Sequence, residues 1–167
     1  VTSTGVWCAT DGAAFKFNFS DSTYTSVTKV DGLNSQILTS VAVDNENKVW
    51  FGSPEGFINI LNPQDNSISK IVDIFSSDKT QKQINQIFIK GDSVFVSFDF
   101  GLAIINSKTL SFVDSFLKLG GFAAETKVIS SFKSSLVYAV TESGVAIQKS
   151  GATNLSAPES WNSFPLI

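Results

Sequence analysis

Acidic residues recur at four matching turns of the sequence, and their side chains are the best placed to support binding chemistry. These residues are Asp11, Glu55, Asp99 and Glu142. Each follows a short strand pattern that opens with valine and an aromatic residue, so a repeated architecture would place all four carboxylates on one face of the molecule. Such a rim could bind a cation, a sugar or a basic partner surface. Acidic residues are also common at turns for their solubility alone, which is the simpler interpretation.

The remaining residue types exclude most forms of catalysis. The sequence has no histidine, which removes the commonest general base and the commonest metal ligand. Cys8 is the single cysteine, so neither an internal disulfide nor a two-cysteine zinc or redox motif can form. In a predicted strand, we expect Cys8 to be a small packed residue rather than a reactive thiol. We therefore predict no catalytic residue, no metal site and no cofactor.

Two further patterns lack the parts that a ligand site needs. The stretch from Asp44 to Lys48 has a passing likeness to a calcium loop, but Lys48 occupies the fifth position and the glycine and terminal glutamate are missing. A hairpin turn explains this stretch. Exposed carboxylates alone could form a glycosidase pair, although nothing in the sequence places two of them together.

The charge balance bears on the expected partners. The chain has 167 residues and a net charge of −3, and all twelve of its cationic residues are lysine. Because arginine and a basic patch are both missing, nucleic acid is not an expected partner. No run approaches eighteen apolar residues, so we predict no membrane-spanning helix. The sequence opens at Val1 without a visible targeting segment, and we expect a mature or excised fragment.

A repeat of about 44 residues organises the sequence. Its marker is a valine-aromatic pair, a short strand, a turn and a small residue. The pairs are Val6-Trp7, Val49-Trp50, Val94-Phe95 and Val137-Tyr138, and the small residues are Ala13, Gly56, Gly101 and Gly144. The small residues are spaced by 43, 45 and 43 positions, within the roughly 40 to 50 residues of a four-stranded propeller blade. We expect the aromatic residues to lie in the core rather than to form a ligand-stacking platform.

The repeat predicts an all-β fold, specifically a partial β-propeller of about four blades. The blades are expected at residues 1–36, 37–83, 84–125 and 126–149, and the first lacks a strand before Val6. Residues 150–167 are rich in serine, asparagine and proline. They predict an irregular connector whose Trp161 and Phe164 pack on the last blade.

These blades are a little over half of the seven-bladed ring that we expect, because seven such blades need roughly 300 residues. An open set of blades exposes two apolar faces, which the rest of the same polypeptide or other subunits must cover. A closed four-bladed ring is the competing geometry. Rings of that kind are commonly held by a disulfide between the first and last blades, which Cys8 alone cannot form.

Three consecutive segments of the second repeat carry a resemblance to a known family. They run from Ile37 to Asp44, from Lys48 to Gly52 and from Gly56 to Pro63. Together they resemble the two-component-regulator propeller repeat of Bacteroidetes-type bacteria. The order of the blades is similar to that in the first propeller of PorZ-like proteins of the type IX secretion system. The stretches that fit this propeller are Gly5 to Gly12, Val96 to Gly101 and Asn154 to Trp161.

The resemblance implies a setting and a function that the repeat alone does not give. It implies an extracytoplasmic protein of the cell surface or periplasm, with a non-enzymatic role in cargo sorting and attachment. The implied partners are other secretion-system proteins and anionic surface polysaccharide. The alternatives are the periplasmic glycan-sensing propeller of a hybrid two-component regulator, a self-assembling structural module, and a secreted carbohydrate-active enzyme on a propeller scaffold.

Overall fold

The computed structural model of the chain describes residues 1–167 and consists mainly of short β-strands. The strands are β1 (Gly5–Ala9), β2 (Ala14–Asn18), β3 (Tyr24–Val27), β4 (Ser40–Val43), β5 (Val49–Gly52), β6 (Ile58–Asn62), β7 (Ser67–Ile71), β8 (Ile84–Lys90), β9 (Ser93–Phe98), β10 (Gly101–Asn106), β11 (Phe112–Phe116), β12 (Val128–Lys133), β13 (Val137–Thr141), β14 (Gly144–Gln148) and β15 (Trp161–Pro165). The helical segments are two single 3-10 turns, Lys29–Asp31 and Pro158–Ser160, and neither could cross a membrane. The all-β prediction is confirmed.

The strands form four antiparallel sheets, each a meander in chain order. The first sheet contains β1 to β3, and the other three contain β4 to β7, β8 to β11 and β12 to β15. Strands β4 and β12 both lie against β8. Because neighbouring blades come closest at the axis of a propeller, the first strand of each full sheet is its inner strand. This arrangement confirms a partial β-propeller of about four blades.

The first sheet lacks an inner strand. Strand β1 pairs with β2 on one side and with no named strand on the other. Its second edge makes only a local bridge between Thr2 and Gly5. Within residues 1–167, the β1 edge that faces the axis is therefore free.

The recurring aromatic residues pack between consecutive sheets. Trp7, Trp50 and Phe95 are 7%, 0% and 3% exposed, and each points toward the next sheet along the chain. Full burial of such a side chain contributes roughly 1.5–3 kcal/mol. Tyr138 holds the same position in the last sheet, where it stacks on Phe132 of its own sheet with ring centroids 4.5 Å apart. The recurring aromatic residue is therefore buried in the core of each sheet that is followed by another sheet.

The outer faces of the first and last sheets are apolar and uncovered. The first outer face presents Val6, Cys8, Phe15, Phe17 and Tyr24. The last outer face presents Phe132, Tyr138, Val140, Val145 and Phe164. Tyr24 is 70% exposed and Phe164 is 54% exposed. The two faces therefore do not cover each other, and the chain does not form a closed four-bladed ring by itself.

The prediction of an irregular connector at residues 150–167 is wrong in its second half. Residues 161–165 form β15, which pairs with β14 from Trp161 opposite Gln148 to Pro165 opposite Gly144. Trp161 is 3% exposed and packs on the last blade as expected, but Phe164 lies on the exposed outer face. Pro165 is tolerated because it ends a strand at the edge of the sheet, where its missing N–H breaks no ladder.

The second and third sheets approach each other at a glycine. Gly52 ends β5, and a Cβ atom added there would lie 2.6 Å from Cβ of Ile84, at the start of β8. Ile84 is fully buried and donates its N–H to the Ser53 carbonyl at 3.0 Å. Neither sheet can therefore move to make room for a side chain at Gly52 without breaking contacts that hold the two blades together.

We predict that Gly52→Ala lowers the free energy of unfolding by about 1–3 kcal/mol, because the added methyl group overpacks this contact. Urea denaturation of the variant measures the change. Gly12→Ala is the matched control, since no atom lies within 4 Å of a Cβ at that position, and its effect should stay within about 0.5 kcal/mol. Equal effects of the two substitutions would contradict the close approach.

Candidate functional site

The four acidic residues of the candidate rim lie along one edge of the sheets. They occupy the hairpins between β1 and β2, β5 and β6, β9 and β10, and β13 and β14. The segments that lead from one sheet to the next run along the same edge, where Asp99 N donates to Gln83 O and Glu142 N to Lys127 O, both at 3.1 Å. We call this the crossover edge. The repeat therefore predicts the placement of the four residues, although their side chains have different partners.

Asp99 is the buried member of the rim, and its side chain joins two sheets. Only 7% of the side chain is exposed. Its Oδ1 atom accepts hydrogen bonds from Lys127 Nζ at 2.8 Å and from Asn85 Nδ2 at 3.2 Å. Its Oδ2 atom accepts from the Gln83 N–H at 3.1 Å. Asn85 also donates to the Val128 carbonyl at 2.9 Å. Asp99 thus links its own sheet to the segment that begins the last sheet.

The other three rim carboxylates are exposed and make fewer contacts. Glu142 accepts a long hydrogen bond of 3.3 Å from the Lys127 N–H, so it shares a partner residue with Asp99. Asp11 and Glu55 are exposed at the tips of their turns. No three acidic, cysteine or histidine side chains come together in a group that could hold a metal ion. The accessible carboxylates of the crossover edge are therefore separate charges, and their role in binding stays a prediction.

A second ion pair on the crossover edge connects two inter-sheet segments. Lys79, after the second sheet, lies 2.9 Å from Glu125 and 3.3 Å from Asp78. The pKa of Lys79 is raised mainly by its hydrogen bond to Glu125 and next by its hydrogen bond to Asp78. Both partners are exposed, and exposed pairs contribute little to stability. The pair links the two connecting segments at the surface.

The calcium-like stretch at Asp44 is a turn that fixes a core tryptophan. Asp44 Oδ1 accepts the N–H groups of Glu46 and Lys48, each at 2.9 Å. Its Oδ2 accepts the indole N–H of Trp50 at 2.9 Å. Asp44 is 7% exposed, so its carboxylate is committed to the turn and to Trp50. The hairpin interpretation of this stretch is confirmed.

A polar cleft between the first and second sheets was not predicted from the sequence. It encloses about 290 Å³. Its walls are Thr2, Ser3, Thr4, Trp7, Lys16, Asn47, Pro63 and Gln64. A second hollow of about 140 Å³ continues from Trp7 and Lys16 toward Asn18 and Asn66. The sequence signal for this cleft lies in the third strand of each repeat, where only the first blade has a lysine.

Four antiparallel sheets packed face to face, with a row of inner strands, define the chain as a segment of a β-propeller. A family model for the N-terminal β-propeller domain of PorZ, of the type IX secretion system, matches residues 6–162. The chain belongs to this family. The match takes in every sheet of the fold, from the start of β1 into β15.

Solved structures share this architecture at low sequence identity. PorZ of Porphyromonas gingivalis, described as an essential bacterial surface component of the type IX secretion system, gives a TM-score of 0.81 with 18% identity over 98% of this chain. The extracellular domain of the hybrid two-component system BT4673 from B. thetaiotaomicron gives 0.79 with 13% identity over 100%. That of BT3049 gives 0.74 with 20% identity over 98%. This chain spans 22% of each of those three chains. Among curated protein sequences, none matches.

We predict that Asp99→Asn lowers the free energy of unfolding by about 1–3 kcal/mol. The amide would turn an N–H group toward donors that now share a carboxylate, and Lys127 would lose its ion pair. Chemical denaturation measures the loss. Glu55→Gln is the control, because Glu55 is exposed and its carboxylate has no partner within the chain. A loss for Glu55→Gln as large as that for Asp99→Asn would contradict the assigned role.

Proposed function

We propose that the chain is a binding and scaffolding module of a ring-shaped, extracytoplasmic protein of the bacterial type IX secretion system. The observation that carries this proposal is the match of the PorZ N-terminal propeller family to residues 6–162, across all four sheets. The module acts without catalysis. It positions partners through its edges and inter-blade clefts, and the absence of histidine from the sequence favours this role over hydrolysis.

The ring is completed by further blades. Support comes from the two uncovered apolar faces and from the free edge of β1, since a monomeric protein rarely leaves such surfaces open. The related structures have chains more than four times as long as this one, since it covers 22% of each. We propose that the rest of the same polypeptide supplies these blades, and other subunits are the alternative source. Seven blades in total stays our prediction.

The cellular role proposed is the sorting or attachment of secreted cargo at the cell surface, together with recognition of surface polysaccharide. The P. gingivalis protein is described as an essential surface component of the same secretion system. The rim carboxylates Asp11 and Glu55 are free to meet a basic partner, because neither takes part in the inter-sheet network. These two residues are the proposed contact points for other secretion-system proteins.

A second candidate function is the sensing of glycans in a hybrid two-component regulator. The observation in its favour is the structural similarity to the extracellular domains of BT4673 and BT3049, with TM-scores of 0.79 and 0.74. Those domains and this chain share the propeller repeat, so the fold alone does not separate the two functions.

An in-frame deletion of residues 6–162 in the source bacterium tests the proposed function. We expect secreted cargo to fail to reach the cell surface, as measured by fractionation of the envelope and the medium. A strain that secretes its cargo normally but loses a transcriptional response to glycans would overturn the secretion role in favour of the sensor. A double variant that replaces only Asp11 and Glu55 should keep the fold, because both residues are exposed, and should weaken cargo attachment.

Closure of the ring predicts protection of Cys8. Its thiol lies half-buried on the outer face of the first sheet, in a position where another blade would cover it. In the intact native polypeptide we expect Cys8 to react with a thiol reagent at least about tenfold more slowly than in the excised 167-residue chain, because labelling then requires local opening. Mass spectrometry of the labelled peptides gives both rates.

The control for this labelling is a Cys8→Ser, Ser135→Cys double variant. Ser135 is exposed in a turn of the last sheet, so its thiol should react at the same rate in both forms. Equal reactivity of Cys8 in the excised and intact proteins would show that no blade covers this face.

A further inference from the structure

An apolar hollow lies between the second and third sheets, beside the outer strand β11. It encloses about 160 Å³, and Asp73 is the one charged residue in its walls. The apolar walls are Ile74, Phe98, Phe100, Phe112 and Leu117. We call this space the β11 hollow. Both flanking sheets have all four strands, so blades added beyond the first and last sheets would leave it open to solvent.

The β11 hollow exists because short side chains stand where the two sheets face each other. Ser115 of β11 pairs with Ala103 of β10, and Ala103 lies in the core that the second and third sheets share. Ser115 therefore points toward the second sheet, since paired residues of neighbouring strands share a face. Ser77, in the turn that follows β7, is also in the wall. Neither serine is long enough to fill the space between the sheets.

The apolar walls leave room for one further apolar side chain. Phe98 is 2% exposed and meets the ring of Phe100 edge to face, with centroids 4.6 Å apart. Leu117 is 39% exposed, so part of the wall is apolar surface in contact with water. Covering such surface is favourable. A cavity of roughly 150 Å³ with apolar walls holds a benzene ring, so the β11 hollow suits one phenylalanine or leucine side chain.

Asp73 supplies an unpaired negative charge at the β11 hollow. It is exposed and takes part in none of the ion pairs of the chain. Lys82 is committed elsewhere, because its Nζ atom donates to the carbonyls of Phe75 and Ser77 at 2.6 and 2.7 Å. Ser77 Oγ donates to the Ile74 carbonyl at 2.7 Å. These bonds fix the turn that carries Asp73, so a cation that binds here meets a carboxylate in a fixed turn.

We propose that the β11 hollow is a docking site for an extended segment of a partner protein that carries a large apolar side chain and a lysine or arginine two positions apart. Residues two positions apart point to the same face of an extended chain. One side chain therefore enters the hollow while the other reaches Asp73. The proposal rests on the proposed function of the chain as a binding module, and it names the chemistry of one partner segment.

The backbone of β11 favours a polypeptide over a small molecule as the occupant. Strand β11 pairs with β10 alone. Its outer edge therefore has backbone N–H and C=O groups that an extended segment can pair with, which is a common mode of peptide recognition. A small molecule would use the hollow and Asp73 but not this edge.

Saturation-transfer difference NMR with the intact native polypeptide tests the proposal, and the probe is the acetylated and amidated peptide Ser-Phe-Ser-Lys-Ser. In one comparison peptide alanine replaces the phenylalanine, and in the other glutamine replaces the lysine. We expect loss of the ring to weaken binding at least about tenfold, because the apolar contact disappears. Loss of the charge should weaken binding about twofold to fivefold, since Asp73 is exposed to water.

Three variants locate the peptide. Asp73→Asn should lower the affinity of the lysine peptide to that of the glutamine peptide, and leave the glutamine peptide unchanged. Ser115→Leu should prevent binding of both phenylalanine peptides, because the leucine fills the hollow, and a thermal unfolding curve verifies that this variant folds. Glu159→Gln removes an exposed carboxylate outside the hollow and should leave every affinity unchanged.

Equal affinity for the three peptides, or a preference for the lysine peptide that survives Asp73→Asn, would overturn the proposal. Phenethylamine that bound as tightly as the lysine peptide, with the same dependence on Asp73, would identify a small-molecule site and overturn the polypeptide partner. If deletion of residues 6–162 stops cargo from reaching the surface but the peptides show no preference, the docking site is wrong and the secretion role stands.

Discussion

Every sheet of this fold depends on the next sheet to cover one of its faces. A β-sheet with two apolar faces cannot be stable alone, so the blades must stack. The recurring aromatic residues of the first three sheets, Trp7, Trp50 and Phe95, each pack against the following sheet. Trp7 shows the contact directly, since its ring meets Phe51 edge to face with centroids 6.0 Å apart. The uncovered faces, the glycine at Gly52 and the linkage through Asp99 are all consequences of this stacking.

The sequence predicted the architecture well because a propeller blade has a nearly fixed chain length. The spacing of 43 to 45 residues located the sheets and the aromatic core. The same reasoning missed β15, because the long segment before Trp161 displaces that strand from its place in the repeat. Its residues also include Asn162, Ser163 and Pro165, which are poor strand formers. A strand at the sheet edge is held by its neighbour, β14, rather than by its own propensity.

The candidate site was predictable in position but not in contacts. Equivalent turns of a repeat must share an edge, so the placement of the acidic residues followed from the period. The partners of Asp99 come from strand β8 and from the segment before β12. No local sequence pattern indicates that these segments contact Asp99. Lys16 could have been found by aligning the third strand of each repeat, where isoleucine is otherwise the rule. The valine-aromatic marker of the repeat lies on the second strand, where the first blade resembles the others.

The missing inner strand of the first sheet has a consequence for biosynthesis. If residues made later in synthesis supply this strand, the first sheet stays incomplete until those residues have been made. Chains grow at roughly 5–20 residues per second, so β1 would keep its backbone N–H and C=O groups unpaired for many seconds while those residues are made. Until that strand arrives, the sequence from Gly5 to Ala9 presents an unpaired edge to which another chain can add a strand.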